Sequence, residues 1–147
     1  MITALDTNVL LDILRPNEEF VRQATEALET AAVSGSLVIC ELVYAEISVH
    51  FPDQRSCDAF LEKAGIRVEP VSREAGFLAG RVWRAYRKAG GLRTRILPDF
   101  LIGAHAQLRA TQFLSRDRGF YGSSFPKLAI VDPSTAKGHR SVPSSTA

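Results

Sequence analysis

The sequence predicts an α/β domain, a parallel sheet covered by helices on both faces. Three observations carry that expectation. Apolar runs too short for helices recur along the chain, and stretches in which apolar residues return every three or four positions separate them. In addition, 147 residues with 46% hydrophobic and 23% charged side chains suit one globular domain with a sizeable core.

The elements follow in order. Ile2-Thr3-Ala4-Leu5 is a short run closed by Asp-Thr-Asn and reads as a buried strand. Val9, Leu10, Ile13 and Leu14 then share one helical face, and Pro16 stops that helix. A second helix is expected over residues 18–32, ended by Ser34-Gly35-Ser36, and Leu37-Val38-Ile39 is a second strand. From Glu41 the helical period returns through Leu42, Ala45 and Val49 until Phe51-Pro52. Asp53 is placed to cap a helix over residues 54–64, and a strand over residues 66–69 leads to Pro70. Ser72 can cap a long helix in which Ala75, Leu78, Ala79, Val82 and Tyr86 share a face, and Gly90-Gly91 ends it. Pro98 suits the first turn of a helix running to about Arg109, and residues 111–114 and 128–131 are the last strands. Gly119 and Gly122 mark the stretch after Leu114 as a turn. The domain is expected to occupy residues 1–132. Residues 133–147, rich in Ser, Thr, Pro, Lys and Gly, read as a flexible tail.

Composition narrows the classes. No run approaches the roughly 18 apolar residues of a membrane span. The N-terminus lacks a signal peptide's basic region and cleavage site, so the cytoplasm is the expected compartment. Cys40 and Cys57 are too few for a disulfide framework or a zinc site and read as structural thiols. A net charge of +2 and a pI near 8.7 do not imply nucleic-acid binding. The distribution is more telling: no acid lies between Glu74 and Asp99, where Arg81, Arg84, Arg87, Lys88, Arg93 and Arg95 fall. Taken alone, such a stripe is a solvated helix face.

Ligands of open parallel sheets bind at the carboxyl ends of the strands. Asp6 directly follows the first strand, Glu46 lies on the helix after the second, Asp99 is in the first turn after Pro98, and Asp117 follows the strand ending at Leu114. Each has a bland reading as a helix cap, a dipole complement or a surface acid. Glu46 lies within an apolar stretch, and Asp99 is embedded in Leu97-Pro98-Asp99-Phe100-Leu101-Ile102, where an uncompensated carboxylate is costly. Converging carboxylates need a proton or a cation among them, and all-oxygen ligation suits Mg²⁺ or Mn²⁺. Such an ion acidifies a water and stabilises charge on a phosphate, which is the chemistry of phosphodiester hydrolysis.

Four segments, "LDTNVLLD" (5–12), "ELVYAEI" (41–47), "LPDFLIGAHA" (97–106) and "SRDRGFY" (115–121), resemble in order the four motifs of PIN-domain ribonucleases. The length resembles the VapC toxins of bacterial toxin–antitoxin pairs. The resemblance covers about residues 2–132. It implies a three-layer α/β/α sandwich and an acidic quartet, Asp6, Glu46, Asp99 and Asp117, that binds Mg²⁺ or Mn²⁺. Asn8 matches a polar residue lining that site and Ser115 the small hydroxyl residue before the last acid. The implied activity is metal-dependent endonucleolytic cleavage of RNA, silenced by a cognate antitoxin, in a protein that commonly dimerises. The chain departs from the family pattern at Cys40-Glu41, where small hydroxyl residues are usual. That leaves a role for Glu41 open, although Glu46 fits the Ala-Glu register better.

In that setting the stripe reads differently, and contact with phosphate or a partner is favoured for Arg93 and Arg95. Arg116 and Arg118 either help neutralise phosphate or are solvated. His105, among Ala and Leu, reads as a hydrogen-bonded structural histidine rather than a base. His50 and His139 lack partners at ligand spacing. Trp83 and Tyr86 have the spacing of core or dimer packing, and Asp12 reads as a solvated helix residue outside the quartet. Two other classes compete. A phosphatase forming an aspartyl phosphate typically needs an aspartate two positions after its nucleophile, where Asn8 stands. A non-catalytic binding module with structural acids would not respond to divalent cations.

Overall fold

The computed structural model describes residues 1–15, 18–92, 97–135 and 139–141. Strand β1 (Ile2–Leu5) lies between β2 (Ser36–Cys40) and β4 (Gln112–Leu114), parallel to both. Outward from β2 runs β3 (Ile66–Glu69), and outward from β4 runs β5 (Ile130–Asp132), again parallel. A sixth strand, β6 (His139–Ser141), pairs antiparallel with β5, so the order is β3-β2-β1-β4-β5-β6. The helices are α1 (Thr7–Leu14), α2 (Val21–Ser34), α3 (Glu41–Ser48), α4 (Gln54–Ala64), α5 (Arg73–Lys88), α6 (Pro98–Arg109) and α7 (Arg118–Ser124). The expected α/β sandwich is the observed one.

Strand order explains the layers. From β1 the chain steps to β2 and β3 on one side, then returns past β1 to β4 and β5 on the other. Right-handed crossovers place helices from the two directions on opposite faces. The inner strands are therefore buried on both sides and read as apolar runs without alternation, with Val38, Ile39, Phe113 and Ile130 all at most 1% exposed, whereas Arg67 and Val68 of edge strand β3 are exposed. The reversal at β1 also opens a crevice between the carboxyl ends of β1 and β4.

Local chemistry sets the helix boundaries. Asp53 accepts from the Ser56 amide at 2.8 Å and Ser72 from the Ala75 amide at 3.0 Å, so both are the N-caps the sequence expects. Gly65 closes α4 in the left-handed region at φ 71°. On α6, Gly103 meets the Phe125 ring so closely that a Cβ would overlap it. Helix α2 begins at Val21 rather than at residue 18, because residues 18–20 form a turn instead.

The stretch read as a loop after Leu114 is different: Arg118–Ser124 is a helix, with Asp117 as its N-cap accepting from the Phe120 amide at 3.3 Å. Gly119 and Gly122 disfavour helix, yet Phe120, Tyr121 and Phe125 anchor the segment in an aromatic cluster, and packing outweighs propensity. Beyond Asp132, residues 133–135 turn against the Asp132 carboxylate, with a Ser134 amide bond of 2.8 Å, before β6 joins the sheet. A strand there was not anticipated, because the composition of residues 133–147 lacks the apolar pattern that marks one. No helix among the described residues is long and apolar enough to cross a membrane.

Candidate active site

The β1–β4 crevice is built by backbone pairing. Leu5 aligns with Leu114, the Asp6 amide donates to the Leu114 carbonyl at 2.9 Å, and Ser115 donates to the Val131 carbonyl at 3.1 Å. Asp6 and Ser115 thus leave adjacent strand ends side by side. The Ser115 hydroxyl donates to Asp6 Oδ2 at 2.7 Å and accepts from the Asp117 amide at 2.9 Å. Asn8 donates from Nδ2 to the same Asp6 oxygen at 3.2 Å and accepts at Oδ1 from the Arg116 amide at 3.2 Å. Asp6 Oδ1 caps α1 through the Thr7 amide at 2.8 Å. Ser115 and Asn8, chosen from the sequence as supporting residues, therefore touch Asp6 directly.

Thr7 was missed. Its hydroxyl donates to Glu46 Oε1 at 2.8 Å and ties α3 to the end of β1. The signal was available, a hydroxyl inside the Asp-Thr-Asn triplet, but nothing local points it toward a residue 39 positions away.

The four acids differ in setting. Asp6 is 6% exposed, Asp99 is partly buried in the first turn of α6, and Glu46 and Asp117 are exposed. This corrects the expected burial of Glu46: on α3 it is Val43 and Ile47 that turn inward. The buried acid is Asp6. Its pKa is pushed from 3.8 to about 7, first by burial and then by the charges of Asp99 and Glu46, against the stabilising bonds from Ser115 and Thr7. The charges of Asp6, Asp99, Asp117 and Glu46 all bear on the Tyr121 hydroxyl as well, so the quartet shares one neighbourhood.

Nearness is not ligation. As the side chains stand, no three carboxylate, imidazole or thiol groups among the described residues close to the spacing of ion ligands. The chemistry of the set nonetheless fits a hard divalent cation. The donors are all oxygen, and Asp6 accepts from neutral groups. Asp6, Asp99, Glu46 and Asp117 are the residues that could hold such an ion.

Other acids already have cations. Asp12, read as solvated, is instead 5% exposed and takes a bidentate bond from Arg116 at 2.7 and 3.0 Å, with the guanidinium stacked 4.1 Å over the Phe20 ring. Arg118 pairs with Asp132, an acid at the end of β5 that the sequence reading overlooked, at 3.1 Å. Both arginines of the last motif are thus engaged within the fold rather than simply solvated.

The remaining candidates have structural posts. His105 is buried and shares a 3.2 Å contact with Glu69, which also holds Arg109 at 3.1 Å. Burial lowers its pKa below 6.5, against the opposing pull of Glu69, and keeps the ring neutral. Glu41 accepts from the Val71 amide at 2.9 Å. Cys40 and Cys57 are buried free thiols, and Tyr86 packs edge-on against Phe100 at 5.4 Å. Arg93 and Arg95 lie outside the described residues.

A doubly wound sheet with carboxylates gathered at its switch point defines a class of α/β proteins with an acidic strand-end site. The PIN domain family model matches residues 3–125, and the chain belongs to that family. It is similar in structure to VapBC2 from Rickettsia felis bound to a promoter DNA fragment (TM-score 0.67, 18% identity, covering 90% of this chain and 98% of that one). It is similar also to VapBC-1 from nontypeable Haemophilus influenzae (TM-score 0.66, 21% identity, 92% and 100% covered). FitAcB from Neisseria gonorrhoeae has TM-score 0.63 and 23% identity, with 90% and 98% covered. No curated protein matches the chain.

Proposed function

We propose that the chain is a VapC-like toxin, a Mg²⁺- or Mn²⁺-dependent endoribonuclease that hydrolyses RNA phosphodiester bonds at Asp6, Glu46, Asp99 and Asp117. The observation that carries this reading is Asp6, buried at the end of β1 with Ser115, Asn8 and Thr7 bonded to its carboxylate and with Glu46 tied to the same strand end through Thr7. When bound, the ion supplies an acidified water and offsets the charge that gathers on the phosphate. The chain supplies the frame: Ser115 and Asn8 orient the Asp6 carboxylate, Thr7 orients Glu46, and Asp117 borders the site from the start of α7. Arg93 and Arg95 serve the flanking phosphates of the substrate.

The relatives in structure include toxin–antitoxin complexes, which supports a cognate antitoxin as the partner that silences the site. We place the protein in the cytoplasm, as a homodimer. Incubation of total bacterial RNA with the protein and Mg²⁺ or Mn²⁺ tests the reading. Cleavage by the parent is expected, with loss in Asp99→Asn and in chelator. Equal cleavage by a folded Asp99→Asn variant overturns it. The ion should also stabilise the fold by mass action, by about 2.7 kcal/mol at a hundredfold excess over Kd, and so raise the thermal midpoint. A midpoint that ignores divalent ions favours a non-catalytic nucleic-acid- or protein-binding module with structural acids.

A further inference from the structure

The link from β4 to α7 consists of Ser115, Arg116 and Asp117, and the residues on either side of Arg116 belong to the acidic site. Ser115 holds Asp6 through its hydroxyl at 2.7 Å, and Asp117 is one of the four acids. The link lies outside helix and strand. Its amides donate to the Val131 carbonyl from Ser115, to Asn8 Oδ1 from Arg116 and to the Ser115 hydroxyl from Asp117. Only the first of these continues the sheet.

Arg116 is the residue by which the rest of the fold grips this link. Asn8 and Asp12 stand one turn apart on the same face of α1 and take Arg116 at two points. Asn8 accepts its amide at 3.2 Å, and Asp12 accepts its guanidinium through two bonds of 2.7 and 3.0 Å. The guanidinium also stacks 4.1 Å over the ring of Phe20, the residue before α2. A planar fork held along its edge and on its face has its orientation set. Because α1 starts directly after Asp6, the helix face that grips Arg116 also sets Ser115 and Asp117 against Asp6.

Stability alone does not call for an ion pair here. Asp12 is 5% exposed, and the desolvation of a buried pair offsets its attraction so far that apolar side chains of similar size commonly do as well or better. Apolar side chains lack the directional bonds that hold an irregular link in one register. We propose that Asp12 and Arg116 are positioning residues of the acidic site, a clamp that holds Ser115 and Asp117 around Asp6 in the arrangement that binds the divalent ion. The inference rests on the metal reading above and extends it to a pair that meets neither the ion nor the RNA.

The test replaces the ion pair with an apolar one, Asp12→Leu together with Arg116→Met, in the full chain. Three quantities are read: the thermal midpoint in chelator, the Kd for Mn²⁺ by calorimetric titration well below that midpoint, and kcat and KM for RNA cleavage. The midpoint should stay level with the parent's or rise. The Kd for Mn²⁺ should rise about 10- to 100-fold, as it does when residues that orient metal ligands are removed, and kcat should fall at unchanged KM. A parent that takes up no Mn²⁺ overturns the metal reading and this inference together. A parental Kd in the folded apolar pair overturns this inference alone. So does a raised KM at parental Mn²⁺ affinity, because Arg116 would then act on the RNA itself. If the apolar pair does not fold, Arg116→Lys decides, since it keeps the charge and loses the fork. A raised Kd there supports the clamp, and a parental Kd overturns it.

Discussion

Replacing Asp6 with asparagine should stabilise the protein at alkaline pH and do little at acid pH. A carboxyl whose midpoint moves from 3.8 to about 7 on folding carries a cost of about 4 kcal/mol once ionised in the folded state. The sign follows from proton counting. Between those two values the unfolded chain has released a proton that the folded chain keeps, so stability falls as pH rises across the window and stays lower above it. Asparagine has no such cost. It can still accept from the Thr7 amide, but its amide meets the Asn8 amide and forces the Ser115 hydroxyl to turn, at roughly 1 kcal/mol for each bond disturbed. The net gain at pH 8 is about 2 kcal/mol, or roughly 6 °C in Tm, and near pH 5 it shrinks toward zero. Thermal unfolding of parent and Asp6→Asn in chelator at both pH values measures it. Saturating Mn²⁺ should reverse the order at pH 8 by stabilising the parent alone. Equal destabilisation of Asp6→Asn at both pH values would refute the argument and show that folding does not raise the Asp6 pKa.

Three further outcomes are expected. Arg116→Ala leaves buried Asp12 without its guanidinium and should cost about 3 kcal/mol in urea unfolding, whereas the double variant Asp12→Ala/Arg116→Ala should recover part of that loss. Gly103→Ala drives a methyl into the Phe125 ring and should destabilise by about 1–3 kcal/mol while weakening Mn²⁺ binding through the displaced start of α6. Asp117→Asn should be the mildest of the four acid substitutions in Mn²⁺ titration, since its carboxylate is exposed and already caps α7.

Much of this was legible because the chain announces its strand ends. Asp6 follows an apolar run directly, so its place at the crevice needed only a parallel sheet and a switch of direction. Ser115 and Asn8 came with the resemblance, and their bonds to Asp6 give that resemblance a physical content. What escaped depends on residues far apart. Asp12 looks solvated until Arg116, 104 positions later, folds over it, and Asp132 looks like the end of a domain until Arg118 reaches it. Helix α7 was hidden for a similar reason: its glycines and serines argue locally for a turn, and only its aromatic partners on β4 and α6 make it a helix. Glu46 was misread in the other direction, since two apolar neighbours in sequence do not fix which side of a helix faces in.

The position of β1 at the centre of the sheet has a consequence for synthesis. The first strand to leave the ribosome finds one neighbour at Ser36, but its other neighbour arrives only with Gln112, and Asp6 waits for Ser115. At about 5–20 residues per second, the half-sheet of β1, β2 and β3 exists for several seconds with Asp6 present and the last two acids missing. Whatever the four carboxylates do together, no nascent chain can do it before residue 117 clears the exit tunnel. A chain that stops short of residue 117 carries at most three of the four carboxylates.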